Sequence, residues 1–273
     1  MTNNNLKMFC LTLEPKHLDV IKAMNYIPVG LGEKNFPLDC ISDKSGKNIS
    51  KKNKYYGEYS FHYWLWKNYL DHINENWIGF CQYRKFWSLD FIPNDELNLN
   101  NLQNKILKKI PDEFNEFDVI LGNPFFVNQR KIMKFLKNGL PLVVSKPNVL
   151  FNKNARNIKF HFDLMHGRNN LDKAINLLNK ENKEDFRDFV NNEVSFNPHN
   201  MFICKSKILL NSYYNEIFSW LERCEKLFGF DELRGYGLTR IYGFLAERFM
   251  SYWFKKNAKF KEIPILFHDI SNN

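Results

Sequence analysis

At 273 residues, with 44% hydrophobic and 16% aromatic side chains, the chain can bury a sizeable core and is too apolar to be intrinsically disordered. Lysine and arginine outnumber aspartate and glutamate by 39 to 30, and the net charge of +9 favours anionic partners: nucleotide phosphates, nucleic acid or an acidic membrane surface. Five cysteines (Cys10, Cys40, Cys81, Cys204, Cys224), odd in number and without a Cys-x-x-Cys pair, argue against a disulfide framework or a zinc knuckle and read as free thiols in a reducing cytoplasm.

Met1 to Leu13 lacks the charged, apolar and cleavage regions of a secretory signal, and no apolar run reaches the roughly 20 residues of a membrane span. The expectation is a soluble cytoplasmic protein, touching the inner membrane only peripherally if at all. Lys7 to Leu13 reads as a buried first strand closed by Pro15, and Tyr26 to Gly32 as a second strand ending in glycine. Residues 39–54, rich in lysine and asparagine around Gly46, read as a loop. Residues 55–70 predict a buried helix with aromatic side chains on more than one face, and Trp77 to Tyr83 a central strand. Leu97 to Ile110 predicts an amphipathic helix stopped by Pro111, and Asp118 to Leu121 a strand broken by Gly122-Asn123-Pro124. From Asn128 to Asn157 (residues 128–157) the pattern is irregular and basic, an excursion from the main sheet. Helices follow over Asn170 to Asn179 and Asp185 to Val190, then a strand at Met201 to Cys204 and a long amphipathic helix from Ser206 to Phe228. Gly235 and Gly237 precede a last helix, Leu238 to Lys256. Strands alternating with helices, no internal repeat and no dividing linker predict one α/β domain over residues 1–273.

The sharpest chemistry sits at Tyr83-Arg84-Lys85. Two cations close a strand otherwise apolar enough to be buried, where open α/β sheets bind ligands, and a guanidinium there suits phosphate through paired, charge-assisted hydrogen bonds; surface salt bridges are the plainer alternative. Upstream, Lys44, Lys47, Lys51, Lys52 and Lys54 share the 39–54 loop with Asp43 and an Asn48-Ile49-Ser50 turn. Backbone amides and lysines in that arrangement cradle an anion, or else form a solvated surface loop. Glu58 and His62, spaced i, i+4, share a helix face in the way general-base pairs do; the plainer alternative is a buried pair satisfying itself. Tyr63, Trp64 and Trp66 either stack on a ligand ring or fill the core, and Lys67 either reaches a ligand or complements the helix dipole. His161, Asp163 and His166 have ligand-like spacing but no matching set elsewhere, so no metal site is expected. His199-Asn200 sets polar groups before a strand, and Glu247, among Phe244, Leu245 and Phe249 on the helix that also carries Arg240, reads either as a buried carboxylate paired with Arg248 or as one with a raised pKa. There is no GxxxxGK[ST] loop, no strand-linked GxGxxG, no GxSxG, no HExxH and no Asp-x-Asp.

With these residues in hand, the chain resembles a family of bacterial glycosyltransferases from capsule and O-antigen gene clusters, formerly known as domain of unknown function 4422. The likeness rests on Asn48-Ile49-Ser50 running through Lys52-Asn53 and Tyr55-Tyr56 to Glu58, on Tyr63-Trp64-x-Trp66-Lys67-Asn68, and on Ile78-Gly79-Phe80 leading to Tyr83-Arg84-Lys85-Phe86. It continues through His166 with Asn170-Leu171, the block from His199 to Lys205, and Arg240 to Arg248, covering Leu6 to Phe254. The resemblance implies a GT-A-like, Rossmann-like mixed sheet flanked by helices, with a donor-binding half over about residues 1–125 and an acceptor half over about 126–273. It implies transfer, with inversion, of a sugar from a nucleotide diphosphate sugar, UDP-linked and of galactofuranose type, to a lipid-linked or oligosaccharide acceptor. By the same likeness, Arg84 and Lys85 neutralise the leaving diphosphate where many GT-A enzymes carry Asp-x-Asp. No cofactor is then required, although Mn or Mg stays open. Donor contacts fall to Asp43, Asn48, Ser50, Tyr55, Trp66, Lys67, Tyr83, Arg84 and Lys85, acceptor contacts to His199, Asn200 and Arg240, and the base to Glu247, Glu58 or His166. The chain departs from the commoner pattern at Lys44 and Lys47, where acids are usual, at Gln82, where histidine is usual, and at Asn170, where aspartate is expected.

Two other classes compete. One is a basic nucleic-acid-binding protein with lysines on phosphates and aromatics on bases, disfavoured because the aromatics lie in an apolar helix and strand, so no nucleic-acid partner is expected. The other is an inactive scaffold of a capsule assembly complex. Oligomeric state is not legible.

Overall fold

Alternating apolar residues in the short strands build a nine-stranded mixed sheet that lies wholly within one of the two units into which the chain divides. The computed structural model describes residues 4–129, 144 and 146–272. The first unit comprises Met1–Asn123, His199–Asn215 and Phe254–Asn273, and the second Pro124–Pro198 and Glu216–Trp253. The strands are β1 (Leu6–Thr12), β2 (Ile27–Gly30), β3 (Ile41–Ser42), β4 (Trp77–Gln82), β5 (Lys85–Trp87), β6 (Val119–Gly122), β7 (Phe125–Phe126), β8 (Ser195–Phe196), β9 (Phe202–Cys204), β10 (Phe260–Ile263) and β11 (Ile265–Phe267).

The large sheet runs β10-β6-β9-β4-β1-β2-β3. β1 pairs in parallel with β2 and with β4, β2 with β3, and β6 with β10, whereas β9 is antiparallel to both β4 and β6. The chain therefore leaves β1 in one direction toward β2 and β3 and returns on its other side as β4. Such a reversal opens a crevice at the carboxyl ends of the strands, the usual ligand position in open α/β sheets. This is the mixed α/β sheet with flanking helices that the sequence predicts.

Each sheet face buries a different kind of residue, as the two-residue period of strands requires. Phe9 and its register partner Phe80 stack at 6.0 Å, and with Phe202 they meet Phe61 and His62 from helix Tyr59–Asn68 and Tyr213 from helix Lys207–Phe228. On the alternate positions, Met8, Cys10, Trp77, Cys81, Ile120 and Ile203 join a second cluster with Leu102, Ile106 and Leu107. Truncating a buried aromatic such as Phe80 to alanine removes about 3–5 kcal/mol by the ordinary measure of core substitutions.

Several expectations need correction. The 39–54 loop contains β3, a helical turn at Ser50–Lys52 and helix Asn53–Tyr56; β3 is too short for periodicity to reveal. The aromatic helix is interrupted at Gly57, whose φ of 59° only glycine adopts readily. The predicted helix Leu97 to Ile110 ends at Lys105: Ile106 is extended and the Leu107 amide is taken by the Trp87 carbonyl. β5, β10 and β11 were not anticipated, nor was helix Ile158–His166, which Asn157 caps through the Phe160 amide. Of the 128–157 excursion, residues 130–143 and 145 lie outside the described residues, and the rest includes helical turns at Pro147–Leu150 and Lys153–Ala155.

The second unit packs Phe186, from helix Lys180–Asn192, against Trp220, Phe249 and Tyr252, and pairs β7 with β8. All five cysteines are free. Among the described residues no helix is long and apolar enough to cross a membrane.

Candidate active site

The carboxyl end of β4 gathers a buried polar cluster. Gln82 is its last residue, Tyr83-Arg84 form a two-residue turn, and Lys85 opens β5 directly opposite Gln82. Gln82 is buried. Its Nε2 donates to Glu58 Oε1 at 3.0 Å and to the His199 carbonyl at 2.9 Å, while its Oε1 accepts from Lys85 Nζ at 3.1 Å. One amide thus links a carboxylate, an ammonium and the His199-Asn200 turn. Those last two residues both adopt left-handed backbone, with φ of 79° and 54° and no glycine to ease it, a strain that folds tolerate mainly where a site needs it. The His199 ring stands edge-on to Phe267 of β11; burial, with Lys85 nearby, pushes its pKa down to about 3, so the ring is neutral near physiological pH.

Of the two predicted cations, Lys85 is the one held in this cluster. Arg84 is exposed on the turn, its guanidinium 5.2 Å from the Tyr83 ring centroid. Around the turn lies a group that sequence reasoning missed. The Tyr83 ring stacks on His17 at 4.9 Å, and both nitrogens of that buried imidazole are engaged, by Thr12 Oγ1 at 2.7 Å and by Ser271 Oγ at 3.0 Å. The carbonyls of Arg84 and Tyr83 accept from the amides of His268 and Ile270. Although burial opposes it, hydrogen bonds from Ser271 and the charge of Arg84 hold the Asp269 carboxyl below its usual range. His17 and the 268–271 segment carry no motif, and only the tertiary fold brings them to the turn.

On the same carboxyl edge of the sheet, at its outermost strand, Asp43 directly follows β3. It is fully buried, and its carboxylate is favoured by the Ser60 side chain and the Gly32 backbone amide, neither in ideal hydrogen-bond geometry. Burial pushes its pKa up to about 6. The loop beyond is docked on the aromatic helix by Asn68, whose amide side chain takes both the N–H and the carbonyl of Lys47. Gly46 fits there on two counts: its φ is 54°, and a Cβ would lie 2.2 Å from Asn68 Oδ1. Asn48 Nδ2 donates to the carbonyls of Lys44 and Gly46, and its Oδ1 accepts from the amide and hydroxyl of Ser50, so this pair shapes the loop. Lys44 is tied to the carbonyls of Glu33 and Lys34, whereas Lys47 and Lys51 extend from an exposed surface.

On helix Tyr59–Asn68, His62 is a core imidazole. It is fully buried, hydrogen-bonded at 2.7 Å to the Tyr214 hydroxyl, and pushed down to about 3 by burial, so it is not the partner that would activate Glu58. Trp66 is half-buried with its indole N–H on Asn211; the exposed Lys67 ammonium lies 3.0 Å from the Trp66 ring centroid. Lys54 covers the Tyr55 ring in the same manner at 4.8 Å.

The remaining candidates belong to the second unit. Glu247 is ion-paired with Arg248, whose buried guanidinium also donates to His161 and lies 4.3 Å from the Phe196 ring centroid. Buried His166 donates Nδ1–H to the Gly237 carbonyl at 3.0 Å and stacks on Phe244 at 4.0 Å. Arg240 stands 5.8 Å from the ring centroid of Tyr236, which is 71% exposed. Asp163 accepts from Lys159 and from the Asn169 amide, and among the described residues no group of His, Cys, Asp and Glu is arranged for a metal ion. The Gly237 contact is tight: a Cβ would lie 2.2 Å from the Met165 carbonyl oxygen. Gly237→Ala is therefore expected to destabilise the protein by about 1–3 kcal/mol, checked by denaturant titration; an unchanged midpoint would contradict the packing described.

The profile of a family described as a domain of unknown function (DUF4422) matches residues 10–258. No curated protein matches the sequence. Among solved structures, the WbbM bifunctional glycosyltransferase, in its apo form, superposes with a TM-score of 0.72 at 20% identity, over 97% of this chain and 45% of that one. The chain therefore spans less than half of that solved chain, and the likeness establishes a shared fold. The mannosyltransferase Ktr4p from S. cerevisiae aligns over 92% of this chain and 65% of its own at 11% identity, with a TM-score of 0.34, too low to establish a common fold.

Proposed function

The chain belongs to the DUF4422 family, and from that premise we propose that it is a glycosyltransferase. It moves a sugar from a nucleotide diphosphate sugar, UDP-linked and of galactofuranose type, to a hydroxyl of a growing capsular or lipopolysaccharide glycan. The observation that carries this reading is the cluster at the end of β4, where an ammonium and a carboxylate share one buried amide at the ligand-binding edge of the sheet. The fold held in common with a bifunctional glycosyltransferase supports it.

In this mechanism Lys85 offsets the charge that builds on the diphosphate as it leaves the anomeric carbon, and Arg84 adds a screened contribution from the turn. Asp43, at the carboxyl end of β3, accepts the imide N–H of the base once the 44–52 loop yields. The loop shaped by Asn48 and Ser50, with Tyr55, Trp66, Lys67 and Tyr83, forms the donor wall. Glu58 takes the proton of the acceptor hydroxyl as that oxygen attacks the face opposite the nucleotide, inverting the centre. We prefer Glu58 because it joins the Gln82 cluster at the end of β4, the same cluster that holds Lys85. His199 and Asn200 are proposed for the acceptor, lipid-linked or oligosaccharide.

Side-chain cations in place of Asp-x-Asp make the reaction metal-independent in this proposal. UDP is expected to bind saturably and more tightly than GDP in calorimetry, and transfer is expected to survive EDTA. Activity lost in EDTA and restored by Mn²⁺ would assign a divalent ion to the leaving group. Failure to bind any nucleotide, together with steeply salt-dependent binding of oligonucleotides, would favour the nucleic-acid alternative instead.

A further inference from the structure

The segment after β11 runs along the Tyr83-Arg84 turn. β11 pairs with β5 as far as Phe267, which faces Lys85; beyond it His268 donates its amide to the Arg84 carbonyl at 3.2 Å, and Ile270 to the Tyr83 carbonyl at 3.3 Å. Ile270 is buried in the cluster against which Tyr83 also packs, which anchors the segment. It lies beyond residue 258, where the family match ends. The side chains around the turn form a chain whose protons can be assigned, because each acceptor fixes the donor before it. The half-buried Asp269 carboxylate only accepts, and it takes the Ser271 amide at 2.9 Å together with the Ser271 hydroxyl. With that proton spent, the Ser271 oxygen accepts Nε2–H from His17 at 3.0 Å. The imidazole then presents Nδ1 as an acceptor, and Thr12 donates to it at 2.7 Å; the Glu14 carbonyl, also within reach of that hydroxyl, is farther at 3.3 Å. Burial, with Lys16 nearby, lowers the His17 pKa and so favours the neutral ring that this chain requires.

We infer that Asp269 is a positioning residue for Arg84: its carboxylate, fixed at the end of a directed hydrogen-bond chain from Thr12 through His17 and Ser271, restrains the guanidinium on the turn. The attraction is mutual, since the charge of Arg84 is among the causes that keep Asp269 ionised. An exposed arginine samples many rotamers, and ordering it costs conformational entropy that a ligand must otherwise offset on binding. A carboxylate engages one edge of the planar fork and leaves its other N–H groups to a phosphate. The same chain serves Tyr83, whose ring stacks at 4.9 Å on an imidazole held at both nitrogens. Ring and guanidinium of one turn are thus placed by residues from opposite ends of the sequence. The inference rests on the glycosyl-transfer reading, which gives Arg84 a diphosphate to meet.

The test is a double-mutant cycle read by isothermal titration calorimetry with UDP, on wild type, Asp269→Asn, Arg84→Ala and the double variant, with melting curves for each. Asp269→Asn should weaken UDP binding about threefold to fivefold, the size of an interaction between partly exposed charges. It should cost nothing further once Arg84 is alanine. His17→Phe keeps a ring beside Tyr83 but neither hydrogen bond; it should also weaken UDP binding and add little to Asp269→Asn, because both act through the same carboxylate. A merely structural role would instead penalise UDP equally with and without Arg84, and that result overturns the inference. So does unchanged or tighter UDP binding by Asp269→Asn, the tighter case showing that the carboxylate competes with phosphate for the guanidinium. Wild type that binds no nucleotide overturns the inference together with the reading beneath it, and is told apart from the others before any variant is made.

Discussion

Lys85→Met should lower turnover by about two to three orders of magnitude at saturating donor, the usual effect of removing one preorganised stabiliser of developing charge. Arg84→Ala should lower it about tenfold or less, because an exposed guanidinium acts through solvent and salt. The contrast follows from the hairpin. Lys85 lies opposite Gln82 and is fixed by it, whereas Arg84 occupies the turn itself. Methionine keeps most of the length and apolar stem of lysine, so folding should be spared and the loss should appear in kcat. Lys85→Arg should rescue poorly, since a planar fork cannot occupy the place of a compact ammonium bound to one amide oxygen. Steady-state kinetics with matched melting curves decide the matter. Near-normal turnover of Lys85→Met, or a larger loss from Arg84→Ala, would return the leaving-group role to the arginine.

That contrast also marks what the sequence can and cannot convey. An apolar run ending in Tyr83-Arg84-Lys85 announces cations at a strand end, and the run itself makes β4 central. Which cation turns inward depends on hairpin register, set by where β5 begins, and β5 is too short to be read from periodicity. Glu58 and His62 illustrate the same limit. Their spacing suggests a catalytic couple, yet the aromatic core claims His62 and the β4 amide takes Glu58, because helix faces are assigned by packing partners far along the chain. His17, Ser271 and Asp269 reach the Tyr83-Arg84 turn from both termini of the chain, and nothing local marks them. In the second unit, Glu247 reads from sequence either as paired with Arg248 or as a carboxyl with a raised pKa, and the ion pair is present; what could not be read is that His161 shares the same guanidinium. Local pattern therefore recovers strands and charge, while the joining of charges across distant segments awaits the fold.

Asp43→Asn should make the protein more stable and less able to hold its nucleotide. In the unfolded chain the carboxyl titrates near its ordinary 3.8, and in the fold burial raises it to about 6. The folded state thus prefers the protonated form: the stability associated with this group is fully present below about pH 4, falls as pH rises toward 6, and is lost above it. A gap of about two units corresponds to roughly 3 kcal/mol, so the amide should raise stability near neutral pH by up to that amount, less whatever its own unpartnered polar atoms cost. For a chain of this size each kcal/mol moves the melting temperature by about 2–4 °C. The gain should vanish at acidic pH, where wild type is already neutral at this position. A fully buried carboxylate whose pKa is raised by burial is the kind of local defect that persists where a ligand uses it. UDP should accordingly raise the melting temperature of wild type and raise that of Asp43→Asn much less, because an amide oxygen is a weaker acceptor than a carboxylate. Melting curves of both proteins against pH, with and without UDP, separate the two halves of the argument. A variant that melts lower than wild type near neutral pH would show that the carboxylate is stabilising as it stands. Equal UDP-induced shifts would remove Asp43 from the donor site while leaving its electrostatic strain intact.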